Sequence, residues 1–181
     1  EHDKRLFIVP AVQDILFHNA FETFVGDSLV YRCRDRALSV EQLVVKRCMD
    51  IVLSLIGIVV TSPLMLLAAI AIKMYDGGPV LFRQERYTRN CERFMLVKFR
   101  SMVVNAEPDG AQLTVENDPR ITPVGRVLRR TRIDELPQFF NILRGEMSLV
   151  GPRAERIEIA EYYCKLLPEF RYRMKVKAGL T

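Results

Sequence analysis

The longest apolar stretch of the chain is residues 51–72, where 22 consecutive positions carry no charge and nearly all are hydrophobic. At the rise of an α-helix this run is long enough to cross the hydrocarbon core of a bilayer, so it predicts a membrane helix. A buried helix of a soluble domain is the alternative. A chain of 181 residues, however, has little interior in which to bury so long an uncharged run.

Ser62 and Pro63 lie at the midpoint of this run. Proline removes a helical hydrogen bond and clashes with the preceding turn, so the sequence predicts a kink or break there. Lys46 and Arg47 precede the run and Lys73 follows it, and positive flanks on both sides favour two cytoplasmic ends. From these residues alone, a re-entrant hairpin and a kinked span stay equally open.

Residues 1–40 have the pattern of one β-α-β unit. Residues 6–9 predict a strand, residues 11–24 are compatible with a helix, and residues 29–31 predict a second strand. A disordered or artificial leader is the alternative, and without a glycine-rich phosphate loop we expect no nucleotide binding here. The chain starts among charged residues with no Met and no signal peptide, so we expect a piece of a longer protein.

Residues 76–181 combine short strand and helix patterns. The sequence Asp-Gly-Gly-Pro at 76–79 predicts a turn, and residues 80–83 and 94–99 predict strands. Val124, Val127 and Leu128 recur at helical spacing with arginines opposite, which predicts a short amphipathic helix. The fold class is therefore expected to be α+β, with a membrane segment followed by a small α/β domain that carries short interfacial amphipathic helices.

Two further helices are predicted after this one. Leu136, Phe139, Phe140 and Leu143 predict the first, with Gly145 as its stop signal, and an apolar face over residues 157–167 predicts the second. Residues 170–175 then alternate between large apolar and basic side chains. An extended basic segment at the level of lipid head groups and a half-buried strand explain that alternation equally well.

The candidate chemistry centres on a carboxylate pair, Asp134 and Glu135, set between a run of arginines and the turn Gly151-Pro152-Arg153. The pair falls at the predicted start of a helix, which favours negative charge and would help to keep Asp134 ionised. The alternative is that the pair serves only to cap the helix, since Thr131 and Asp134 match a capping box. Two anions among so many cations suggest a site for a phosphorylated, metal-bound substrate.

The distribution of charge along the chain, and its few cysteines and histidines, limit the classes of partner and metal that it could bind. The formal net charge of +5 comes entirely from residues 73–181, which carry +6, against −1 for residues 1–72. Beside a membrane segment this excess favours anionic lipids and phosphorylated substrates, and no nucleic-acid-binding motif accompanies it. The four cysteines lack CxxC spacing and the only histidines are His2 and His18, so neither a zinc site nor a disulfide framework is expected, and a reducing cytoplasmic setting fits.

Three motifs resemble the bacterial sugar transferase family, the monotopic polyprenyl-phosphate phosphoglycosyl transferases. They are KFRSM at 98–102, DPRITPVGRVLRRTRIDELPQFFNILRGEMSLVGPR at 118–153 and RYRMKVKAGLT at 171–181, and the similarity runs from about residue 46 to the end. The resemblance implies a Rossmann-like accessory domain that ends in residues 1–40, and a re-entrant hairpin over 41–75 that breaks at Ser62-Pro63. It also implies a catalytic domain over 76–181 on the cytoplasmic face of the bacterial inner membrane. Asp50 would lie at the membrane interface, where it reads as a solvated cap.

A carboxylate can act as a covalent nucleophile when cations stabilise the developing charge. We hypothesise that Asp134 attacks the sugar-linked phosphate of a UDP-sugar, which releases UMP, and that polyprenyl phosphate then accepts the phosphosugar. Glu135 would hold Mg²⁺. By resemblance, Lys98 and Arg129 would contact phosphates and Pro152-Arg153 would form part of the pocket. Each residue alone fits an ordinary surface position better, but the set at the family's spacing favours the site.

Three departures from the family pattern qualify the resemblance. Ala154 replaces the second proline of Pro-Arg-Pro, residues 87–92 lack the usual glycine turn, and the chain ends at Thr181 where family members continue. We therefore expect a truncated catalytic domain. The alternatives are another lipid-diphosphate transfer enzyme and a non-catalytic, basic, membrane-anchored scaffold. The sugar, weakly expected to be a hexose, and the formation of a homo-oligomer are left open.

Overall fold

The computed structural model describes residues 20–25, 28–33, 39–106, 115 and 118–180. The chain divides into two compact units, residues 1–43 and 44–181. In the first unit, β1 (Ala20–Val25) and β2 (Ser28–Cys33) form an antiparallel pair with Ala20 opposite Cys33. The predicted strand at 29–31 is confirmed, but the helix predicted up to Phe24 is wrong from Ala20 onward. Aromatic and β-branched residues in this segment favour a strand. The rest of the predicted β-α-β unit lies outside the described residues.

The second unit is dominated by α1 (Val40–Asp76), a helix of 37 residues that begins in the first unit. It starts at a reciprocal capping box, in which the Gln42 N–H donates to Ser39 Oγ and the Ser39 N–H donates to Gln42 Oε1. Among the described residues it is the one helix long and apolar enough to cross a membrane, with a mean hydropathy of 2.5 over its most apolar window. Only 11% of that window is buried, which does not fit the core helix of a soluble domain.

α1 continues through Pro63, so the predicted break of the helix is not observed. Proline has no N–H to donate to the carbonyl four residues back, which is that of Val59. The Ser62 hydroxyl donates to this same Val59 carbonyl at 2.8 Å, and the Thr61 hydroxyl donates to the Gly57 carbonyl at 2.7 Å. Hydroxyl groups thus satisfy backbone oxygens around the proline, which lets a helix pass it in an apolar setting. Whether the helix is kinked enough to re-enter stays a prediction.

α1 ends in the predicted turn, where Gly77 adopts φ +69° and the Gly78 N–H donates to Asp76 Oδ1 at 3.1 Å. β3 (Leu81–Tyr87) and β4 (Arg93–Phe99) follow as an antiparallel pair, so both predicted strands are confirmed. Phe82 lies opposite Lys98 in this pairing, and the Lys98 ammonium sits 5.3 Å from the centre of the Phe82 ring.

α2 (Pro123–Arg130) confirms that a helix forms here, and its place at a membrane interface stays a prediction. Thr122 caps it by accepting the Gly125 N–H at 2.9 Å. Gly125 packs directly on the main chain, because a Cβ there would lie 1.9 Å from the Ser101 carbonyl oxygen. The Thr131 hydroxyl donates to the Val127 carbonyl at the end of this helix, so the capping box suggested for Thr131 is wrong.

α3 (Gln138–Arg144) begins later than predicted. Asp134 and Glu135 lie in a separate 3₁₀ turn, Ile133–Glu135, which is preceded by Arg132 in the left-handed region. That residue reverses the backbone, and Pro137 caps α3 rather than occupying its first turn. Gly145, at φ +86°, ends the helix as predicted.

Two apolar clusters form the core. Phe94, Leu96, Ile142, Met147, Ala154 and Ala178 make the first, and Ala68, Ile72, Phe99 and Leu128 make the second. The second cluster joins the last third of α1 to β4 and α2. The apolar stripe predicted for α3 is only partly its buried face, because Gln138, Asn141 and Ile142 are buried while Phe140 is exposed.

β5 (Ser148–Arg153) and α4 (Ile157–Leu166) complete the unit, and the helix predicted over 157–167 is confirmed. The following segment, Pro168–Lys175, is 3₁₀ helical, so neither the extended segment nor the strand predicted for it is correct. Three-residue turns align positions i and i+3. In this way Arg173 comes to lie over the Phe170 ring and Lys175 over the Tyr172 ring.

Asp50 is not a solvated cap but a buried tie between α1 and β5. Its carboxylate accepts the Ser148 hydroxyl at 2.9 Å and the Leu149 N–H at 3.0 Å, with the Lys46 ammonium 3.8 Å away. Arg47 adds hydrogen bonds to two carbonyls at the end of α3. The start of the membrane helix is therefore fixed to the elements that carry Gly151, Pro152 and Arg153.

Candidate functional site

A cavity of about 500 Å³ lies between β3, β4, the 3₁₀ turn at 133–135 and β5. Among the described residues that line it, the cations are Arg86, Lys98, Arg132 and Arg153, and the carboxylate is Glu135. A concave surface with this excess of positive charge raises the local concentration of anions. The cavity is therefore suited to a ligand with several negative charges.

Asp134 is the neighbour of the cavity-lining Glu135, in the 3₁₀ turn that follows Arg132, whose φ is 58°. A non-glycine residue in the left-handed region is uncommon and marks a backbone held by its surroundings. The Asp134 side chain is buried, and its Oδ1 has no hydrogen-bond partner among the described residues. Burial, and then the charge of Glu135, raise the pKa of Asp134, while Lys98 and Arg129 oppose that rise. A buried, unsatisfied carboxylate oxygen beside two cations is a reactive arrangement.

Lys98 is the cation at the base of the cavity, on β4. Burial, followed by repulsion from Arg86 and Arg129, lowers the pKa of Lys98 to about 8. The strand beneath it is fixed by Asn141 on α3, which accepts the Val97 N–H at 3.1 Å and donates to the Met95 carbonyl at 2.8 Å. Lys98 is therefore held in place and easily deprotonated for a lysine.

Glu135 forms ion pairs with two arginines of the cavity lining. Glu135 Oε1 lies 3.3 Å from Arg132 Nη1 and 3.9 Å from Arg153 Nη2. The Arg153 side chain is 69% exposed, so a ligand in the cavity can reach it. Its strand is packed against the last residues of the chain, because a Cβ on Gly151 would lie 2.5 Å from the Lys177 carbonyl oxygen.

Residues 41–181 match the family model described as bacterial sugar transferase. The chain belongs to the bacterial sugar transferase family. The family recognised in the sequence motifs is therefore confirmed.

Three relatives illustrate the range of this family. An Aeromonas hydrophila protein named UDP-N-acetylgalactosamine-undecaprenyl-phosphate N-acetylgalactosaminephosphotransferase is 46% identical over 76% of this chain and 32% of its own length. The exopolysaccharide production protein PSS of Rhizobium leguminosarum bv. phaseoli is 45% identical over 77% and 72%. UDP-glucose:undecaprenyl-phosphate glucose-1-phosphate transferase of Escherichia coli K12 is 40% identical over 92% and 36%. The chain thus spans about a third of two relatives and most of the shorter one.

In this bacterial sugar transferase, the predicted site residues are only partly brought together. Lys98, Glu135 and Arg153 line the cavity, and the buried Asp134 is the neighbour of Glu135. Arg129 is outside the cavity wall but close enough to act on both Asp134 and Lys98. Pro152 faces a small cleft on the other side of β5. The exposed Ser62 and Pro63 lie in α1 and do not line the cavity.

Sequence reasoning missed Arg86. Its guanidinium donates to Gln84 Oε1 at 2.7 Å and to the Ala154 carbonyl at 2.8 Å, and it lines the cavity. Burial and then repulsion from Arg156 and Arg153 lower the pKa of Arg86 to about 10. An arginine in a strand with several polar residues looks like part of a solvent-exposed face. No local sequence pattern therefore marks Arg86 as a residue of the cavity.

The predicted magnesium ion can be tested against the donors present. Among the described residues no group of three or more His, Cys, Asp or Glu side chains could hold a metal. Mg²⁺, however, is often bound by one or two carboxylates together with substrate phosphates and water. Glu135, the carboxylate that lines the cavity, fits such a shared site, and its role as the metal ligand stays a prediction.

Proposed function

We propose that this bacterial sugar transferase moves a sugar 1-phosphate from a UDP-sugar to polyprenyl phosphate, which releases UMP and starts the assembly of a surface polysaccharide or glycoconjugate. The observation that carries the proposal is the buried Asp134, which has an unsatisfied Oδ1, lies beside Lys98 and Arg129 and is the neighbour of Glu135 in the lining of a cationic cavity. The relatives from A. hydrophila and E. coli are named for a UDP-sugar donor and an undecaprenyl-phosphate acceptor. We expect a hexose or an N-acetylated hexose, in line with those names.

The reaction would run in two displacements. An Asp134 oxygen forms a bond to the sugar-linked phosphorus while the bond from that phosphorus to the oxygen bridging to UMP breaks, so UMP leaves with the electron pair. An oxygen of polyprenyl phosphate then attacks the same phosphorus, and Asp134 departs as a carboxylate. The products are UMP and a polyprenyl diphosphate sugar.

The chain's own residues would support these steps by charge. Lys98 and Arg129 neutralise the phosphate oxygens while the attacking oxygen approaches the phosphorus. Arg86 and Arg153 bind the rest of the diphosphate. Phosphate close to Asp134 favours its protonated form, so the same two cations also keep it ionised. Glu135 would hold Mg²⁺, which would supply further positive charge to the substrate phosphates.

The contacts of α1 support the proposal that the helix enters and leaves by one membrane face. Its start is tied to β5 through Asp50, and its end is tied to β4 through Ile72 and the Asp76–Arg100 ion pair. A helix that spans the bilayer puts its ends about 30 Å apart on opposite faces. One cytosolic domain would not reach both, so a re-entrant path at the inner membrane is favoured.

Thiol labelling tests this topology. Cys48 is exposed before the apolar run, and Met74, 80% exposed, follows it. With the other cysteines replaced by serine, Cys48 alone and Met74→Cys alone should both resist an impermeant maleimide in intact cells and react in inverted vesicles. Labelling of either one in intact cells would establish a spanning helix.

The mass of the intact protein tests the covalent mechanism. After incubation of the whole protein with Mg²⁺ and UDP-sugars, wild type and Glu158→Gln, an exposed carboxylate on α4, should gain one sugar phosphate, and Asp134→Asn should not. Polyprenyl phosphate should discharge the adduct. Normal product without any adduct would make Asp134 a base or metal ligand. No product at all would favour the non-catalytic scaffold.

A further inference from the structure

A second cavity, of about 430 Å³, adjoins the first and has a different character. Its walls are largely hydrocarbon, supplied by Leu81 and Phe82 on β3 and by the segment Met102, Val103 and Val104. No aspartate or glutamate is among the described residues that line it. It therefore offers no carboxylate to a metal-bound diphosphate, unlike the cavity that contains Glu135.

This cavity is also strongly cationic. Lys98 lines both cavities, and Arg129, Arg156 and Arg100 join it in the second. Arg100 is buried, with both terminal nitrogens on Asp76 and its Nε without a hydrogen-bond partner among the described residues. A buried donor without a partner is costly, and an anion in the cavity is the kind of ligand that would relieve it.

The cavity also lies next to the membrane segment. Pro79 lines it three residues after α1 ends, and the Asp76–Arg100 ion pair joins the end of that helix to its wall. Apolar walls and several cations, in one cavity next to α1, match an amphiphile with one anionic head. Ser101 and Asn105 supply its neutral hydrogen-bonding side chains, while the larger apolar wall suits an isoprene chain better than a base and ribose.

We propose that the second cavity is the acceptor site, which takes the phosphate of an isoprenoid lipid at Lys98, Arg129 and Arg156 and the first isoprene units on the apolar wall. The inference rests on the proposed function and adds where each substrate binds: the donor in the first cavity, the acceptor in the second. Lys98 separates them and faces both, so one buried carboxylate beside it can serve the two displacements in turn.

Substitution of Val104 tests the assignment, because its side chain is 52% exposed and should tolerate change. Val104→Asp puts a charge against the isoprene chain and should raise the KM for undecaprenyl phosphate at least tenfold. The KM for the UDP-sugar, and the UMP released in a single turnover without lipid, should stay within twofold of wild type. Val104→Leu keeps the apolar wall and should behave as wild type. So should Val150→Asp, a control at an exposed valine that lines neither cavity.

A polyprenyl phosphate with a photoreactive group near its head gives a readout that does not need turnover. It should label the wild-type peptide that contains residues 101–106, and undecaprenyl phosphate should compete while UDP-sugar does not. Labelling confined to other peptides, an equal rise in both KM values for Val104→Asp, or no change in either would overturn the assignment.

A phospholipid of the surrounding membrane also combines an anionic head group with apolar chains, so it could occupy the same cavity. If Val104→Asp alters only the dependence on phosphatidylglycerol in nanodiscs and leaves the KM for undecaprenyl phosphate unchanged, the cavity holds surrounding lipid and the acceptor assignment is wrong. A wild-type protein that transfers no sugar phosphate, yet is labelled at residues 101–106 as described, would refute the proposed function while keeping the lipid site.

Discussion

Lys98 makes the strongest prediction about activity, because its charge is easily lost. With a pKa of about 8, roughly nine-tenths of the side chains are protonated at pH 7, half at pH 8 and a tenth at pH 9. If the ammonium stabilises the phosphate under attack, kcat/KM for the UDP-sugar should halve near pH 8 and fall about tenfold per unit above it. A pH profile of kcat/KM reports the ionisable groups of the free enzyme.

The variant Lys98→Arg tests whether deprotonation of Lys98 causes the fall of kcat/KM near pH 8. A guanidinium stays protonated throughout the range, so the fall near pH 8 should disappear even though the absolute rate is lower, because arginine presents a planar fork in place of a point charge. Lys165→Arg, at an exposed lysine of α4, should keep the wild-type profile. A flat wild-type profile up to pH 9.5, or the same fall in Lys98→Arg, would refute the role given to Lys98.

Loss of activity through unfolding can be distinguished from loss of the Lys98 charge by the direction in which stability changes with pH. Between the folded pKa of about 8 and the ordinary value of 10.5, the unfolded chain binds more protons at Lys98 than the folded chain does. The free energy of unfolding therefore rises with pH across this window as far as Lys98 is concerned. Loss of activity there with an unchanged or higher melting temperature fits a catalytic effect, and a parallel loss of both does not.

Three substitutions test the packing behind the site by thermal melting and single-turnover UMP release. Ile142→Ala removes a fully buried side chain and should cost about 2–5 kcal/mol, against about 0.5–1.5 kcal/mol for Ile142→Val; equal costs would contradict the core assignment. Asp50→Ala leaves the Leu149 N–H without its acceptor and should cost about 1–3 kcal/mol, so a neutral effect would contradict the tie. Gly151→Ala must displace the Lys177 carbonyl and should slow UMP release at least tenfold, and a wild-type rate would contradict that close approach.

The elements that the sequence predicts well are those set by local signals. α2 has a capping threonine, a proline at its first position and valines at helical spacing, all within nine residues. Gly145 ends α3 because its left-handed conformation is cheap only for glycine. β3 and β4 follow from short runs of branched and aromatic residues. In each case the information lies within a few residues of the element.

The features that escaped prediction depend on partners distant in the sequence, or on a side chain that donates to a backbone carbonyl whose helical donor is missing. Asp50 reads as a solvated cap until Ser148, 98 positions later, is known to pack on it. Arg86 binds a carbonyl 68 positions away. Pro63 predicts a break because local rules do not include the Ser62 hydroxyl that satisfies the Val59 carbonyl.

The long apolar helix α1 is also part of the framework of both cavities. At one end Asp50 holds β5, the strand that carries Arg153 to the rim of the first cavity. At the other end Asp76 holds Arg100, which lines the second cavity. Each end of α1 thus contacts an element that lines one of the two cavities beside Lys98. If the second cavity is the acceptor site that we propose, α1 also fixes the distance between the membrane surface and Asp134.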